Sequence, residues 1–579
     1  MAGQHQLSSP QTEMRSAITL LDLDDDVLIH AVSDLSTNDA LNFSLVARRV
    51  HLIAKHQALS CVTMKSIKCV SRICTYMLAD VPGRLKWIRR LSVSVLPPRP
   101  LPLRVQSKRP DYVRNVQEAT ASMHLLVLLV RHATALKYLH LKFVDQVLAF
   151  QPTLIDVLSS LTNVAELELL HACGAETFKL LDRLQCRPRG LFLQIGPEII
   201  DKDALFSHIG KWQQLQTLRL VGSNIIQDQR DSDTDLTKCF MSDLPHSWPD
   251  VTNLSLARCE IALPAILRAF PNLHVLTIME WSRGPCFSNP SRPVYLSQTR
   301  EHGLEFVEGS AHFFQNWPSA RPVYHILIQS VLAIPIIWDA VGPTRCGDPD
   351  IPILLQMVCR AKPVVLTLRA MAFKSLQSTF WAGMAAEATR LRCLEVEICL
   401  FRETEGLTTL FLQWMQTVPA TLSNVSSLSY VQVCINDQIS SSMRSDIVSD
   451  FDGSQATAEA MAYALVGHIP SLEYVSIVFG RMPLDWSSTL YIEPFHGLLW
   501  TWKVNNISGE RTLLPISATL ASIIKERLKS PAGMGHGHLE EMFKENSSTS
   551  RNDVSSTHSF AIPDSEVIRV PADPSFKGT

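Results

Sequence analysis

LRCLEVEICLF, residues 391–401, sets apolar Leu394 and Val396 between polar Glu395 and Glu397. Alternation with a period of two is the mark of a strand with one buried face, so the apolar pair points inward and the glutamates outward. The same six-residue figure, apolar-x-x-apolar-x-apolar, opens at Ile88, Leu136, Val164, Pro188, Leu215, Val251 and Leu273. It returns at Val323, Pro363, Leu391, Leu428 and Leu472, with a last weak copy at Leu499. One such strand cannot bury its own face. Stacked strands share a core, and a helix after each strand covers it. The helices are legible between strands: Leu154, Val157, Leu158 and Leu161 form one apolar set, and Ala265, Ile266 and Ala269 another, ending at Pro271. Phe411, Leu412, Met415 and Val418 form a third, expected to end at Pro419.

Successive copies from Leu136 to Val164, Pro188 and Leu215, from Val251 to Leu273, and from Pro363 to Leu391, lie 22 to 28 residues apart. Two copies run further, into x-x-(Asn/Cys)-x-apolar: VTNLSLARCEI brings Cys259 and Ile261 to those places, and LRCLEVEICLF brings Cys399 and Phe401. LSYVQVCIN reaches Asn436 at the matching point. The array resembles the leucine-rich repeats, whose repeat length it shares. That resemblance implies an irregular solenoid with a parallel sheet, and an Asn or Cys turned inward beneath each loop. The plainer reading is an α/β domain whose strands happen to be preceded by leucine. Polar insertions interrupt the array at 227–250, 280–300 and 436–456, and between 280 and 362, where the Val323 copy lies, the number of repeats is left open. LLPISATLASIIKERL, residues 513–528, reads as an amphipathic helix closing the array.

Ahead of the array, residues 20–54 read as three short helices. Asp24, Asp25 and Asp26 open the first, where carboxylates favour the positive end of the helix dipole. Val27, Leu28, Ala31, Val32 and Leu35 recur at helical spacing. Ser36 with Asp39 makes a capping box for the second helix, whose stripe is Leu41, Leu45 and Val46. Arg48, Arg49, Leu52, Ile53 and Ala54 continue into the third. About 35 residues cannot build a self-sufficient core, so the helices need a partner surface. The order Leu23, Asp26, Val27, Leu28, Leu35, then Leu41, Ser44, Leu45, Val46, Ala47, Arg48, Arg49 resembles an F-box. Asp24 stands where a proline is usual and Val50 where a tryptophan is usual. The resemblance implies docking on a Skp-type adaptor, and through it a cullin, with Leu23, Val27, Leu28, Leu41, Leu45 and Val46 as apolar contacts. Some of those six must instead face the chain's own core. The rival reading is a helical cap on a protein-interaction scaffold with no ubiquitin-ligase link.

The fold expected is therefore α/β: a three-helix F-box at 19–60 and a linker with the first strand at 61–115. A leucine-rich-repeat-like solenoid follows at 116–529, with disordered ends at 1–18 and 530–579. Formal net charge is −2, which gives no global pull toward nucleic acid or membrane. The segment 84–114 holds nine Lys/Arg against one acid, but aromatic interleaving is nearly absent and no nucleic-acid partner is expected. The residues before Leu20 are polar, and no apolar run is long and uncharged enough to span a bilayer. Thirteen scattered cysteines fit reduced thiols, and the expected location is cytoplasmic or nuclear.

No nucleophile elbow, zinc-protease helix, phosphate loop or dinucleotide fingerprint occurs, and no Cys-x-x-Cys pair is present. His536 and His538 read as linker. The expectation is a non-catalytic receptor without cofactor or metal, holding an unknown protein substrate near the ligase by tethering. Its substrate surface would be the outward strand positions: Lys137, Tyr138 and His140 in one repeat, Glu395 and Glu397 in another, Tyr430 and Gln432 in a third. An enzyme with a site scattered over loops is the remaining alternative.

Overall fold

The structure is a computed structural model. It describes residues 23–81, 83–98, 110–172, 174–195, 202–222, 246–257, 263–279, 304–310, 317, 322–329, 350–371, 378–400, 407–437, 455–481, 496–507 and 509–529. The expected disordered ends, His536 and His538, most of the three insertions, and Cys259, Ile261 and Phe401 lie outside those residues. Cys399 and Asn436 are strand residues whose side chains also lie outside them.

The fold is α/β, built on one long, mostly parallel sheet. Its strands are β1 Cys61–Met64, β2 Arg90–Val93, β3 Tyr138–Lys142, β4 Glu166–Ala172, β5 Gly190–Ile195, β6 Thr217–Gly222, β7 Asn253–Ala257 and β8 Val275–Met279. They continue as β9 Leu304–Ser310, β10 Val323–Gln329, β11 Val365–Met371, β12 Cys393–Leu400, β13 Tyr430–Asp437, β14 Tyr474–Arg481, β15 His496–Ile507 and β16 Glu510–Ile516. Strand order in the sheet is sequence order, so each repeat touches only its neighbours. All thirteen hexamers contribute a strand.

The register explains why. One inward position runs straight across the sheet: Val62, Leu91, Leu139 and Leu167 pair in succession at one end, and Leu394, Val431, Val475 and Trp502 at the other, joined by the same position of every strand between. No residue named in that row is more than 7% exposed. Helices back the inward face: α4 Ile67–Leu78, α5 Pro110–His132, α6 Val144–Phe150, α7 Thr153–Ser159, α8 Ala175–Arg183, α9 Lys202–Gly210 and α10 Leu263–Ala269, then α11 Asp350–Ala361, α12 Ser378–Glu387, α13 Leu407–Leu422 and α14 Gln455–His468. Most turns are locked by one carbonyl that accepts two successive N–H groups of the next repeat, using both its lone pairs. Arg89 O takes the amides of Lys137 (2.8 Å) and Tyr138 (3.0 Å), and Arg392 O takes those of Ser429 and Tyr430, both at 2.9 Å. Asp145 adds a side-chain link, accepting from the amides of Gly174 (2.8 Å) and Thr177 (3.0 Å) at the start of α8. A side chain at Gly174 would meet that carboxylate, because its Cβ would stand 2.9 Å from Asp145 Oδ1.

Four expectations are corrected. The segment after residue 60 is not simply a linker, since β1 and β2 both belong to the sheet. The last hexamer, in β15, runs antiparallel to β14 and forms a hairpin with β16 through Gly509 at φ 88, so it ends the array rather than repeating it. The helix near Pro419 continues to Leu422 with the proline inside it. The closing helix begins at Ala518, because Pro515 lies in β16 and Ser517 caps the helix through its hydroxyl, 3.3 Å from the Leu520 amide. Among the described residues no helix is long and apolar enough to cross a membrane.

The N-terminal helices are α1 Asp25–Ser33, α2 Thr37–Ser44 and α3 Arg48–Ser60. Ser36 caps α2 at 3.2 Å from the Asp39 amide, and its hydroxyl donates to Asp39 at 2.6 Å. Asp24 stands at the N-cap of α1 without a side-chain capping bond. Arg49 ties α3 to α1, donating to Leu23 O at 2.7 Å and to Asp25 at 3.0 Å. Leu28, Val32, Ala40, Val50 and Ala54 are buried in this module.

Leu169→Ala, at a fully buried inward position, is expected to cost about 2–5 kcal/mol of stability. Gln194→Ala, on the outward face, should stay within about 0.5 kcal/mol. Urea denaturation checks both; equal effects would contradict the shared inward core.

Candidate functional site

The outward face of the sheet divides in two. Over β2–β6 it is half-exposed and carries charged and aromatic side chains in cross-strand pairs. The Arg90 guanidinium lies 4.5 Å over the Tyr138 ring, and that of Arg219 lies 4.7 Å over Phe192. His140 Nδ1 is 2.8 Å from Glu168 Oε2. Burial works against the Glu168 carboxylate, yet hydrogen bonds from His140 and Tyr138, with the charge of Arg219 nearby, hold its carboxyl below the usual range. Tyr138 and His140 thus stand on the outward face, as read from the alternation. Lys137 precedes the strand and is exposed.

Over β10–β14 the same face is covered. The closing helix, α15 Ala518–Leu528, lies across it. Leu520 and Ile524 pack on Val364, Val365, Cys393, Tyr430 and Tyr474. Four of these are outward residues in register on adjacent strands: Val365, Cys393, Tyr430 and Tyr474. Tyr324 Oη donates to Leu528 O at 3.1 Å, holding the helix end beside β10. α15 therefore does not extend the array past its last strand; it folds back over four of them.

Beside that apolar row runs a polar one. Thr367, Glu395, Gln432, Ser476 and Thr501 are consecutive register partners. The Thr367 hydroxyl donates to Glu395 Oε2 at 3.0 Å and accepts from His325 Nε2, also at 3.0 Å, which places the imidazole proton on that nitrogen. Tyr430 Oη lies 3.1 Å from Gln432 Oε1 and 3.0 Å from Ser476 Oγ, and Ser476 Oγ is 2.9 Å from Thr501 Oγ1. From α15, Lys529 Nζ reaches Glu395 Oε2 at 2.9 Å. Lys525 Nζ sits 3.0 Å from Glu395 Oε1 and donates to Gln432 Oε1 at 3.1 Å. Burial alone would raise the Glu395 carboxyl; the two ammonium groups outweigh it and bring it down to about 2. Burial and the nearby Glu395 charge push the Cys393 thiol up.

This corrects part of the expected substrate surface. Glu395 is 5% exposed and Tyr430 2%, so neither is open to a partner while α15 is in place. Gln432 is half-buried beneath Lys525, and Glu397 is half-buried further along β12. The outward residues Arg90, Glu168, Phe192 and Arg219 were legible from the alternation but were not singled out. Lys525 and Lys529 carry no local signal of where they dock.

The six residues expected to meet an adaptor also divide. Leu28 is fully buried and belongs to the module's own interior, and Leu23 is half-buried. Val27, Leu41, Leu45 and Val46 are exposed, Leu45 at 81%. Ile29 and Leu52, not singled out from sequence, are exposed as well. Among the described residues no group of three or more His, Cys, Asp and Glu is placed to hold a metal ion.

The Glu395 carboxyl is lowered on folding, so its contribution to holding α15 is complete above about pH 4.5. That contribution falls away as pH drops toward about 2. Glu395→Gln is expected to speed amide exchange in α15 by at least ~10-fold near neutral pH and to flatten its acid dependence. Hydrogen-exchange mass spectrometry checks this, and unchanged exchange would show that the lysines do not hold the helix.

No protein-family model matches the chain, and no curated protein matches it. Among solved structures, one match is the leucine-rich repeat-containing protein LegL7 from Legionella pneumophila, at 11% identity and a TM-score of 0.23, over 70% of this chain and 87% of that one. Agreement at that level carries no argument about function.

Proposed function

We propose that the chain is a non-catalytic receptor: its three-helix module is an F-box that docks on a Skp-type adaptor, and its array holds a protein target for ubiquitin transfer. The observation that carries this reading is the apolar surface of the module. Val27, Ile29, Leu41, Leu45, Val46 and Leu52 are exposed within 26 residues, whereas the whole described array shows nine other exposed large apolar side chains. Isolated exposed apolar residues are ordinary, but a concentration on one small module marks a surface that meets another protein. Leu45 and Val46 stand in the turn between α2 and α3, where the resemblance places adaptor contacts. Val50, in the place of the usual tryptophan, is buried and spends its side chain on the module's interior. On this reading the target is brought near the transfer machinery by raised local concentration, and the chain supplies no reacting group. The work is cytoplasmic or nuclear.

The purified chain is expected to bind a Skp-type adaptor with a Kd of about 1 μM or tighter. The Val27→Asp/Leu45→Asp double variant, at two solvent-facing positions, should keep the fold and weaken binding at least ~30-fold. Isothermal titration checks both. A folded wild-type chain that does not bind at tens of micromolar would leave a protein-interaction scaffold with a helical N-terminal cap.

A further inference from the structure

The face beneath α15 is made of two rows with different characters. The first is apolar and takes Leu520 and Ile524. The second is polar, with one carboxylate, and most of its hydrogen bonds stay within the sheet face, either between its own members or to His325 and Tyr430. A layer meant to stay buried is cheapest when apolar, because a buried carboxylate loses its hydration and must be matched by cations in fixed positions. Under a permanent lid an apolar residue would hold the helix as well as Glu395 and its lysines do. In a recognition groove the same carboxylate selects a cation and fixes register. The rest of the polar row stays bonded when the helix leaves.

α15 supplies one face only. Leu520, Ile524 and Leu528 recur every fourth residue, and Lys525 and Lys529 form a second stripe beside them. Ser522 and Glu526, on the far side, are exposed. The helix has 11 residues, a length of about 16 Å, which spans about four strands at ~4.8 Å spacing. Helices this short are marginal on their own, so α15 keeps its form by being docked.

We propose that the outward face of β10–β14 is a groove for a lysine-bearing amphipathic helix of a protein target, and that α15 is its resident occupant, displaced when the target's helix takes its place. The groove reads apolar side chains at i, i+4 and i+8 through Val365, Cys393, Tyr430 and Tyr474, and lysines at i+5 and i+9 through Glu395 and Gln432. Target binding is then a competition. A target helix must outbid a tethered one at high effective concentration, so only a helix with both stripes succeeds. This rests on the array being a protein-binding surface and is independent of adaptor docking.

The probe is a fluorescein-labelled peptide of residues 517–530, measured by anisotropy against the full chain. Ile524→Asp, and separately Lys525→Glu/Lys529→Glu, release α15 from the groove. The labelled peptide is expected to bind each released variant at least ~10-fold more tightly than the wild-type chain. A host peptide of alanine and glutamine with Leu, Ile and Lys at the five positions should compete, and one with the lysines replaced by glutamate should not. Hydrogen exchange on the unmodified chain supplies an arm free of substitutions: α15 should open at least ~100-fold more often than β11–β14. Equal protection of helix and strands would overturn the proposal, as would failure of the peptide to bind a folded released variant. So would equal binding to the wild type. Adaptor titration of the same variants should be unchanged, so a failure there bears on the ligase reading alone.

Discussion

An apolar row one residue wide holds this molecule together. Strands β1 to β14 each offer one leucine, valine or isoleucine to the row and β15 offers Trp502, and each side chain finds its cover in the neighbouring strands and in the helices behind. Leu167 is buried because Leu139 and Leu191 stand beside it. Such a core has no centre, and its stability is local. The row tolerates irregular spacing, since a long insertion between two strands leaves their inward positions in register: Val431 and Val475 pair directly although 44 positions separate them in the chain. It tolerates no polar residue, because a desolvated polar group there would find only side chains with nothing to offer it.

That constraint is why the strands were legible. The hexamer records what the row requires, and each of the thirteen stretches read from it became a strand. The exceptions have physical causes. LSCVTM at 59–64 fits the figure, but it follows the helical pattern of α3 without a break and reads as its continuation. In β9, Gly309 occupies the last apolar position, so the figure is incomplete although Leu304 and Val307 are buried. The hexamer of β15 gives the right face and says nothing of direction, because side-chain alternation is the same in parallel and antiparallel strands. The split between Val27 and Leu28 was hidden too. Neighbouring residues on a helix differ by about 100° in direction, and only the seat of α3 decides which of them turns inward.

Outward positions are the converse case. Alternation says that Glu395 and Tyr430 leave the core; it cannot say what they meet. Here they meet the chain itself, more than eighty residues further on. The polar ladder and the two lysines are complementary in charge and position, yet neither partner is conspicuous alone. Glu395 looks like any solvent-facing glutamate in a strand, and α15 looks like any amphipathic helix. The half of the face over β2–β6 is different in kind, with its charges and rings paired across neighbouring strands. One sheet thus presents two surfaces, one exposed and one guarded.

The joint between α3 and β1 has a mechanical consequence. Ser60 is the last residue of the helix and Cys61 the first of the strand, and the Ser60 carbonyl is already taken by the Arg89 amide at 2.9 Å. His56 of α3 meets the Trp87 ring at 5.3 Å just ahead of β2. No loop residue separates the two parts, so a tilt of the module is passed directly into the first strand. Whatever grips the module sets the compass bearing of everything bound along the sheet, and distance from the joint, counted in strands, becomes a radius. Two ligands held at β4 and at β12 would sweep different arcs for the same tilt of the module, so position along the array is also a choice of reach.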